Sequence, residues 1–513
     1  MNIQIKMHSE LDCNLNPDIQ LIMQSMKELE NKGVYNKNYI NVLKDKCAKY
    51  YSLAQEEKEI SAKIKQASGD EKEALKFEKQ NIIDKSNMLL DDCLLLISTL
   101  GGKGAYHYNY DLHFNRIVAG LMGSTCYMKD TFKQLEEKRV SDIRTIAKIV
   151  ENNGHHSTFG HSHLTLEITG IPKALAMVLN NEQEYNTSEK SARYTEMDNI
   201  ESQEKELFYK WKEIFEDAIN KKYGNCKPFF DEKGVKAGKL AQENARYMIS
   251  IFTPSNMVYT TSFRQFNYIC HWFEDVIYSK NPNEFYRPLI PYMKEFVKWF
   301  KENDLYSETL EDGKGRKLSM FGEPLIEQTI NSDVFAIKYQ ISGAGLAQSH
   351  RHRTNHHHIS EKEFEIQKPD FFIPPILKGT DLVPQYLADI TSVASHFPQG
   401  RLLPVVETGK TSNYLLKAYE RVCALAQKEI RDLTQGKCKE FADALKQESD
   451  KLGQMAMTTA SGEQVQILLA KRREVERMQE KFAKMAKTAR CTAGYDCKGG
   501  CQFAEGITLN SLV

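Results

Sequence analysis

The sequence predicts an α+β fold of two units flanked by helical extensions, and three observations lead there. Stretches at 41–98, 135–152, 200–222, 284–303, 411–451 and 462–487 place apolar residues at helical spacing among charged ones. Two short segments, 163–169 (HLTLEIT) and 334–341 (VFAIKYQI), read instead as strands. Finally, after 247–273, which is rich in aromatic and β-branched residues, and the helix at 284–303, the pattern starts over at 334.

The elements follow in order. Over 41–98, Leu, Ile and Ala recur among Glu56, Glu57, Lys58, Lys63 and Lys65, with Gly69 as the obvious breaker, so a solvated helical hairpin is expected. Over 135–152, Val140, Ile143, Ile146 and Ile149 are expected on one helical face, and Asn153-Gly154 supplies a stop. In 163–169, Leu164, Leu166 and Ile168 alternate with polar residues, the period of a half-buried strand. The segment 334–341 leads into a small-residue stretch, SGAGLAQS, and then a basic cluster. A connection with Pro369, Pro374, Pro375 and Pro384 precedes the last two helices, whose charges (Lys471 to Arg477) read as a solvated face. The resulting division is 1–104, a helical extension; 105–310 and 311–450, the two units; and 451–513, a helix with a Cys-containing tail.

Composition excludes several classes. With 69 basic and 69 acidic side chains no net field draws the chain to nucleic acid or to an acidic membrane. The longest apolar run, 88–100, is interrupted by Asp91 and Asp92 and is too short to span a bilayer. Residues 1–14 carry Glu10 and Asp12 and lack the layout of a secretory signal, so a cytoplasmic protein is expected. The 11 cysteines, an odd and scattered set, are expected to be mostly reduced.

Three clusters carry chemistry. Residues 155–163 (HHSTFGHSH) set four histidines and three hydroxyls beside a helix stop; they can bind a polar cofactor or substrate, satisfy a turn, or hold a metal. Residues 348–358 (QSHRHRTNHHH) flank His352 with Arg351 and Arg353, two planar forks suited to phosphate or a delocalised anion; a basic surface turn and a zinc site are the alternatives. Gly343 and Gly345 nearby permit close approach of a ligand. Residues 185–194 (YNTSEKSARY) put Glu189, Ser191 and Arg193 on one face of an extended chain, a set able to read a nucleotide, although such a triplet alone is commonly an ordinary polar loop.

Taken together, His155-x-Ser157-x-x-x-His161 before a strand, Glu189-x-Ser191-x-Arg193-Tyr194, and Gln348-x-x-Arg351-His352-Arg353 resemble flavin-dependent thymidylate synthase, also called the thymidylate synthase complementing family. In that family Arg-His-Arg is followed closely by Asn-Glu-x-Ser-x-Arg-Tyr in one copy. Here the halves lie far apart, which suggests an internal duplication with complementary losses: two tandem related units, each a small mostly antiparallel sheet packed with helices. The first copy has Asn180-Asn181-Glu182 in place of Arg-His-Arg, keeps Ala245-Arg246 and Ser262-Phe263-Arg264, and has Phe273 where the family has a substrate-binding arginine. The second lacks Glu-x-Ser-x-Arg-Tyr but keeps Gly400-Arg401-Leu402-Leu403-Pro404, and Arg421 with Gln427 downstream.

The resemblance implies methylation of dUMP to dTMP with methylenetetrahydrofolate as carbon donor and FAD, reduced by NADPH, as hydride carrier. By position, Gln348, Arg351, Arg401 and Arg421 would hold dUMP together with Glu189, Ser191, Ala192 and Arg193; Arg421 and Ser191 would be catalytic, and Arg193 and Arg401 would take the phosphate. Arg351, His352, Arg353, Arg264, Ser157, Thr158 and Ser124 would bind FAD, with His155 or His161 on the folate and nicotinamide side. No metal is implied. The expected assembly is a homodimer acting as a pseudo-tetramer, with the pseudo-symmetric site dead. The competing readings are a zinc protein using the histidine clusters, with Cys491, Cys497 and Cys501 as a second site, and a catalytically dead flavin or nucleotide binder.

Overall fold

The structure is a computed structural model that describes residues 1–10, 22–23, 26–27, 37–99, 110–127, 129, 131–136, 140–191, 195, 197, 199–223, 237–311, 315–323, 327–423 and 426–490. Its strands are β1 (Asn2–His8), β2 (His163–Pro172), β3 (Asn186–Glu189), β4 (Pro254–Ser262), β5 (Phe321–Gly322), β6 (Thr329–Ile330), β7 (Val334–Ser342), β8 (His356–Ser360) and β9 (Leu402–Lys410). The first unit and its approach hold helices α1 (Lys37–Ile64), α2 (Gly69–Thr99), α3 (Leu112–Tyr127), α4 (Val140–Asn152), α5 (Lys173–Leu179), α6 (Ser202–Tyr223), α7 (Ala237–Ala245), α8 (Phe263–Ile277) and α9 (Ile290–Glu302). The second holds α10 (Gly343–Ser349), α11 (Leu382–Ser392), α12 (Thr411–Arg421), α13 (Lys428–Thr458) and α14 (Gly462–Met485).

The expected α+β class is what forms: two small, mostly antiparallel sheets packed with helices, ordered β1-β2-β4-β3 and β5-β8-β9-β7-β6. In β2 the alternation does what the period demands, since Leu164, Leu166 and Ile168 are all fully buried. Each such side chain contributes about 1.5–3 kcal/mol. A segment expected to belong to a helical extension behaves otherwise: residues 2–8 form a strand that runs antiparallel to β2, pairing Ile3 with Ile168. Its short Ile-x-Ile alternation was masked by the helical character of 41–98. The hairpin itself forms as α1 and α2 and closes over its own small core of Leu43, Cys47, Leu90 and Cys93. In α4 the buried face is Ile143, Ala147 and Val150, whereas Ile149 is exposed. Steps of three residues drift around a helix with 3.6 per turn, so Ile149 leaves the face that Ile143 defines. Among the described residues, no helix is long and apolar enough to cross a membrane.

The two sheets share a three-strand plan, β2-β4-β3 and β7-β9-β8, with every pair antiparallel. From α5 to β3 and from α10 to β8 the offset is constant at 170 residues (343 − 173 and 356 − 186). From β4 to α8 and from β9 to α12 it is 148 (402 − 254 and 411 − 263). These offsets pair Phe273 with Arg421, as the motifs indicated, but shift the other match by one: Asn181, Glu182 and Gln183 stand opposite Arg351, His352 and Arg353. One apolar core runs through both units, joining Leu166 and Tyr259 to Ile337 and Val405 and reaching Phe482 on α14. A second cluster, with Trp211, Phe215, Tyr247 and Tyr386, staples α6 and α7 of the first unit to α11 of the second.

Candidate active site

Lys173 at the start of α5, Ala344, Ala347 and Gln348 of α10, and chain that follows each of these short helices line an inter-unit cavity of about 180 Å³. Gln348, Arg351 and Arg421 reach it from the second unit, and Ser191 from the first. The cavity also takes Lys173, Lys190 and Arg246, so five cations line it. Such a density of fixed positive charge in an enclosed space selects an anion, and planar guanidinium forks suit phosphate.

Three of these cations, Lys173, Arg351 and Arg421, are held by defined partners. Glu189, with a side chain only 1% exposed, receives an ion pair from Lys173 and another from Arg351 Nη2 at 3.2 Å. Arg421 donates through Nε to His352 Nε2 at 2.7 Å and through Nη2 to the Gln348 carbonyl at 3.0 Å. His352 can accept because it is neutral: burial, and then the neighbouring charges of Arg421 and Lys417, push its pKa down to about 2. The proton of the ring therefore sits on Nδ1. Gln348 Oε1 is buried and has no partner among the described residues, an acceptor left for a ligand.

Beneath the Arg351-His352-Arg353 turn lies a buried ion pair. Lys417 Nζ donates to Glu407 at 2.6 Å and to Ser349 Oγ at 2.7 Å, while Tyr339 and Asn355 donate to the same carboxylate. Burial opposes the charge on Glu407, yet Lys417 and His357 hold its carboxyl well below the usual range. His350, at the same depth, is driven well below the usual imidazole range by burial and by His357, so it stays neutral.

A second, larger cavity of about 740 Å³ opens at the histidine turn. His155, Ser157 and Arg264 line it as expected, and Arg316, Tyr185 and Tyr268 complete its walls. Arg264 lies beside Gly160, where an added Cβ would meet its guanidinium at ordinary van der Waals contact, 3.6 Å. Arg264 Nε and Gln265 Nε2 are buried without partners among the described residues, so this cavity too offers unused donors. Arg353 lies over the Tyr185 ring at 5.2 Å, which connects the Arg-His-Arg turn to this cavity through a shared aromatic.

Several expected site residues stand elsewhere. Ser124 is buried and donates to the Gly120 carbonyl at 2.7 Å, and Thr158 donates to the His155 carbonyl at 3.2 Å, so their hydroxyls serve the local backbone. His161 is exposed and does not line the cavity. Arg401 turns away into a separate groove, where its guanidinium sits 4.0 Å from the Phe397 ring centre and pairs with Glu284 at 2.7 Å. The 148-residue offset explains why: position 401 corresponds to Thr253, and Arg246, the arginine that does enter the inter-unit cavity, corresponds to Ala394. Ala192 and Arg193 lie outside the described residues, as do Cys491, Cys497 and Cys501. Lys173 and Arg246 were not assigned to the site from sequence. The Ala245-Arg246 pair was the available signal, and Lys173 had none.

Among the described residues, the histidine clusters do not gather three metal-ligating atoms. The one group that does, Glu201, Glu204 and His396, lies on α6 and its approach and beside α11. Its buried member Glu204 is already engaged by the Ser250 amide and by His396.

The architecture is thus an α+β protein whose two sheets share a three-strand plan, with a cation-lined cavity where residues of the two halves meet. Residues 114–275 match the family model described as thymidylate synthase complementing protein, in agreement with the resemblance read from the motifs. The matched stretch ends before the Arg351-His352-Arg353 turn. No curated protein matches the chain. Among solved structures, it is similar to thymidylate synthase X from Helicobacter pylori crystallised with FAD and dUMP (18% identity over 38% of this chain and 94% of that one, TM-score 0.24). A second structure of flavin-dependent thymidylate synthase ThyX from Helicobacter pylori with the same ligands gives 16% identity over 39% of this chain and 96% of that one (TM-score 0.24). The UMP/dUMP methylase PolB from Streptomyces cacaoi, bound to 5-Br dUMP, gives 14% over 37% and 92% (TM-score 0.23).

Proposed function

We propose that this chain is a flavin-dependent thymidylate synthase whose working site is assembled from two unlike copies of one unit. The reaction is the reductive methylation of dUMP to dTMP, with methylenetetrahydrofolate as carbon donor and NADPH as the source of hydride. The observation that carries this reading is the inter-unit cavity, where Gln348, Arg351 and Arg421 of the second unit meet Ser191 and Arg246 of the first.

In this reading Arg351 and Arg246, with Lys173, hold the nucleotide phosphate, and Glu189, Ser191, Ala192 and Arg193 contribute to the nucleotide site from the first unit. Glu189 keeps Arg351 and Lys173 gathered before the nucleotide arrives. Arg421, held on one edge by neutral His352 and by the Gln348 carbonyl, is the cation placed beside a uracil carbonyl. A fixed cation there stabilises the electron density that builds on the ring as C5 attacks the carbon electrophile. Ser191, at the cavity wall, orients the base against that guanidinium.

FAD fits the larger cavity by size and by chemistry: about 740 Å³ lies within the range of cofactor sites, and the unused donors of Arg264 and Gln265 face a polar, anionic group. Bound there, the flavin supplies the hydride that completes the methyl group. Ser157 and Arg264 would hold it, with Arg353 backing Tyr185 and His155 lining the folate and nicotinamide side. The equal plan of the two sheets supports duplication, and the loss of the arginine at Phe273 supports one working site per chain, two in a homodimer.

The test is visible absorbance of the purified protein, anaerobic reduction by NADPH, and dUMP-dependent release of tritium from C5. Flavin bands with release lost in both Arg351→Ala and Arg193→Ala support the composite site. A protein that takes up FAD and binds dUMP without release would be a silent binder, and one that takes up no FAD would end the reading.

A further inference from the structure

We infer that Gln427 is a positioning residue, which binds Arg246 of the first unit to Gln348 of the second and so keeps the two halves of the cavity aligned on the nucleotide. This rests on the nucleotide reading above. Gln427 is buried at the start of α13 and does not itself line the cavity. Its Oε1 accepts from two groups that do, Arg246 Nη2 and Gln348 Nε2. Its Nε2 donates to the Tyr247 hydroxyl.

The direction of this chain of hydrogen bonds is set by chemistry. Arginine can only donate, so the amide oxygen must face Arg246 and the amide nitrogen must face Tyr247. Tyr247 then donates its hydroxyl hydrogen bond to Glu429 Oε2 at 2.7 Å. Glu429 is anchored in turn by the Ser342 amide at 2.8 Å and the Ser342 hydroxyl at 2.7 Å. Ser342 is the cap residue of α10, the helix that carries Gln348, so the path closes on the element it orients. Gln427, Arg246, Tyr247, Glu429 and Ser342 are buried and Gln348 is half-buried, and a buried hydrogen-bonded path favours one geometry because breaking a link leaves an unpaired group.

One consequence is specific. Because Gln427 occupies Gln348 Nε2, the Gln348 amide cannot flip, and Oε1 stays presented to the cavity as an acceptor. Gln427 also joins residues 102 positions apart in the chain (348 − 246), one from each unit, which makes it a tie between copies rather than a feature of either.

Calorimetric titration of dUMP into the full-length protein tests this with Gln427→Met, Gln427→Glu and Tyr247→Phe, alongside steady-state kinetics and flavin absorbance. Gln427→Met keeps the shape and removes the acceptor, and is expected to weaken dUMP binding and raise its KM roughly tenfold to a hundredfold, with kcat changed less than about threefold and flavin content unaltered. Gln427→Glu restores an acceptor for Arg246 and Gln348 and should recover most of that loss. Tyr247→Phe should show a smaller loss of about threefold to tenfold that does not add to the loss in Gln427→Met, since both cut one path. Binding of dUMP by Gln427→Met equal to wild type would overturn the inference while leaving the nucleotide site intact; additivity with Tyr247→Phe, or a fall in kcat at unchanged KM, would overturn it as well. If Gln427→Met fails to fold, the Gln427→Glu and Tyr247→Phe pair still decides, because wild-type affinity in Tyr247→Phe contradicts it. A wild-type protein that binds no dUMP removes the nucleotide reading and this inference together.

Discussion

The layer beneath the end of α5 in the first unit is Leu179, Tyr259 and Ile269, and the corresponding layer beneath α10 in the second is Ser349, Glu407 and Lys417. All six are buried, five of them entirely and Lys417 to 1% exposure. The unit that retains the Arg-His-Arg turn rests it on a buried ion pair; the unit that has lost the turn fills the same volume with apolar and phenolic groups. A buried pair is commonly no more stabilising than well-packed hydrophobic residues, so the second unit's choice points to orienting the turn above it rather than to stability. The apolar layer is what such a unit can adopt once its turn no longer has a ligand to face.

The largest effect should come from moving a single residue between units. Arg421→Phe copies the first unit into the second, and is expected to cut tritium release roughly a hundredfold to a thousandfold while the thermal midpoint barely moves, because Arg421 is partly exposed at the cavity. The reverse change, Phe273→Arg, should destabilise the fold by about 3–5 kcal/mol in denaturant titration, since Phe273 is fully buried and an unpaired charge there has no partner. A Phe273→Arg protein of wild-type stability would break the comparison.

Next is the ion pair. Lys417→Ile should cost about 3–5 kcal/mol by leaving Glu407 buried and unpaired, and Lys417→Ile with Glu407→Leu should recover a good part of that by imitating the apolar layer. The double variant should still lose dUMP binding, because Ser349 and the turn above lose their anchor. Stability that falls further in the double variant would contradict the apolar-equivalence argument.

Glycine supplies a third contrast. Gly345 corresponds to fully buried Leu175, yet a Cβ on Gly345 would stand 2.6 Å from Ile341 and 3.0 Å from the Glu429 carboxyl carbon. Gly345→Ala should therefore cost about 1–3 kcal/mol and weaken dUMP binding through Glu429, as read by chemical denaturation and calorimetry.

The smallest effect is pH-dependent. Glu182 and His352 occupy equivalent positions, and burial drives both toward the uncharged form, Glu182 up to about 7 from 4.5 and His352 down to about 2. For Glu182 the unfolded chain loses its proton near 4.5 while the folded protein retains it, so its contribution to stability is complete below that pH and is lost as pH rises toward about 7. Glu182→Gln should remove this decline, raising the melting midpoint at pH 8 relative to wild type by the equivalent of about 1–2 kcal/mol and flattening the profile between pH 5 and 7. An unchanged slope there would mean that the two Ser319 donors, not burial, govern Glu182.

Much was legible in the chain because it depends on local period and local chemistry. The alternation of Leu164, Leu166 and Ile168 determines which face of β2 is buried, Gly69 divides the helical hairpin, and the two motif halves name the cavity's main residues, since spacing and residue type survive without knowledge of what packs against them. Three-dimensional contact decided the rest. The first strand was hidden because a seven-residue alternation acquires meaning only beside β2. Arg401 and Arg246 look alike in sequence, each before a strand-like run, and only the register of β4 and β9 sends one into the cavity and the other over Phe397. Lys173 carried no motif for the site at all, and Gln427 appeared only downstream of Arg421 with no role attached; their roles arise where side chains distant in sequence converge, and that convergence is set by the packing of two units against each other, a relation no local pattern encodes.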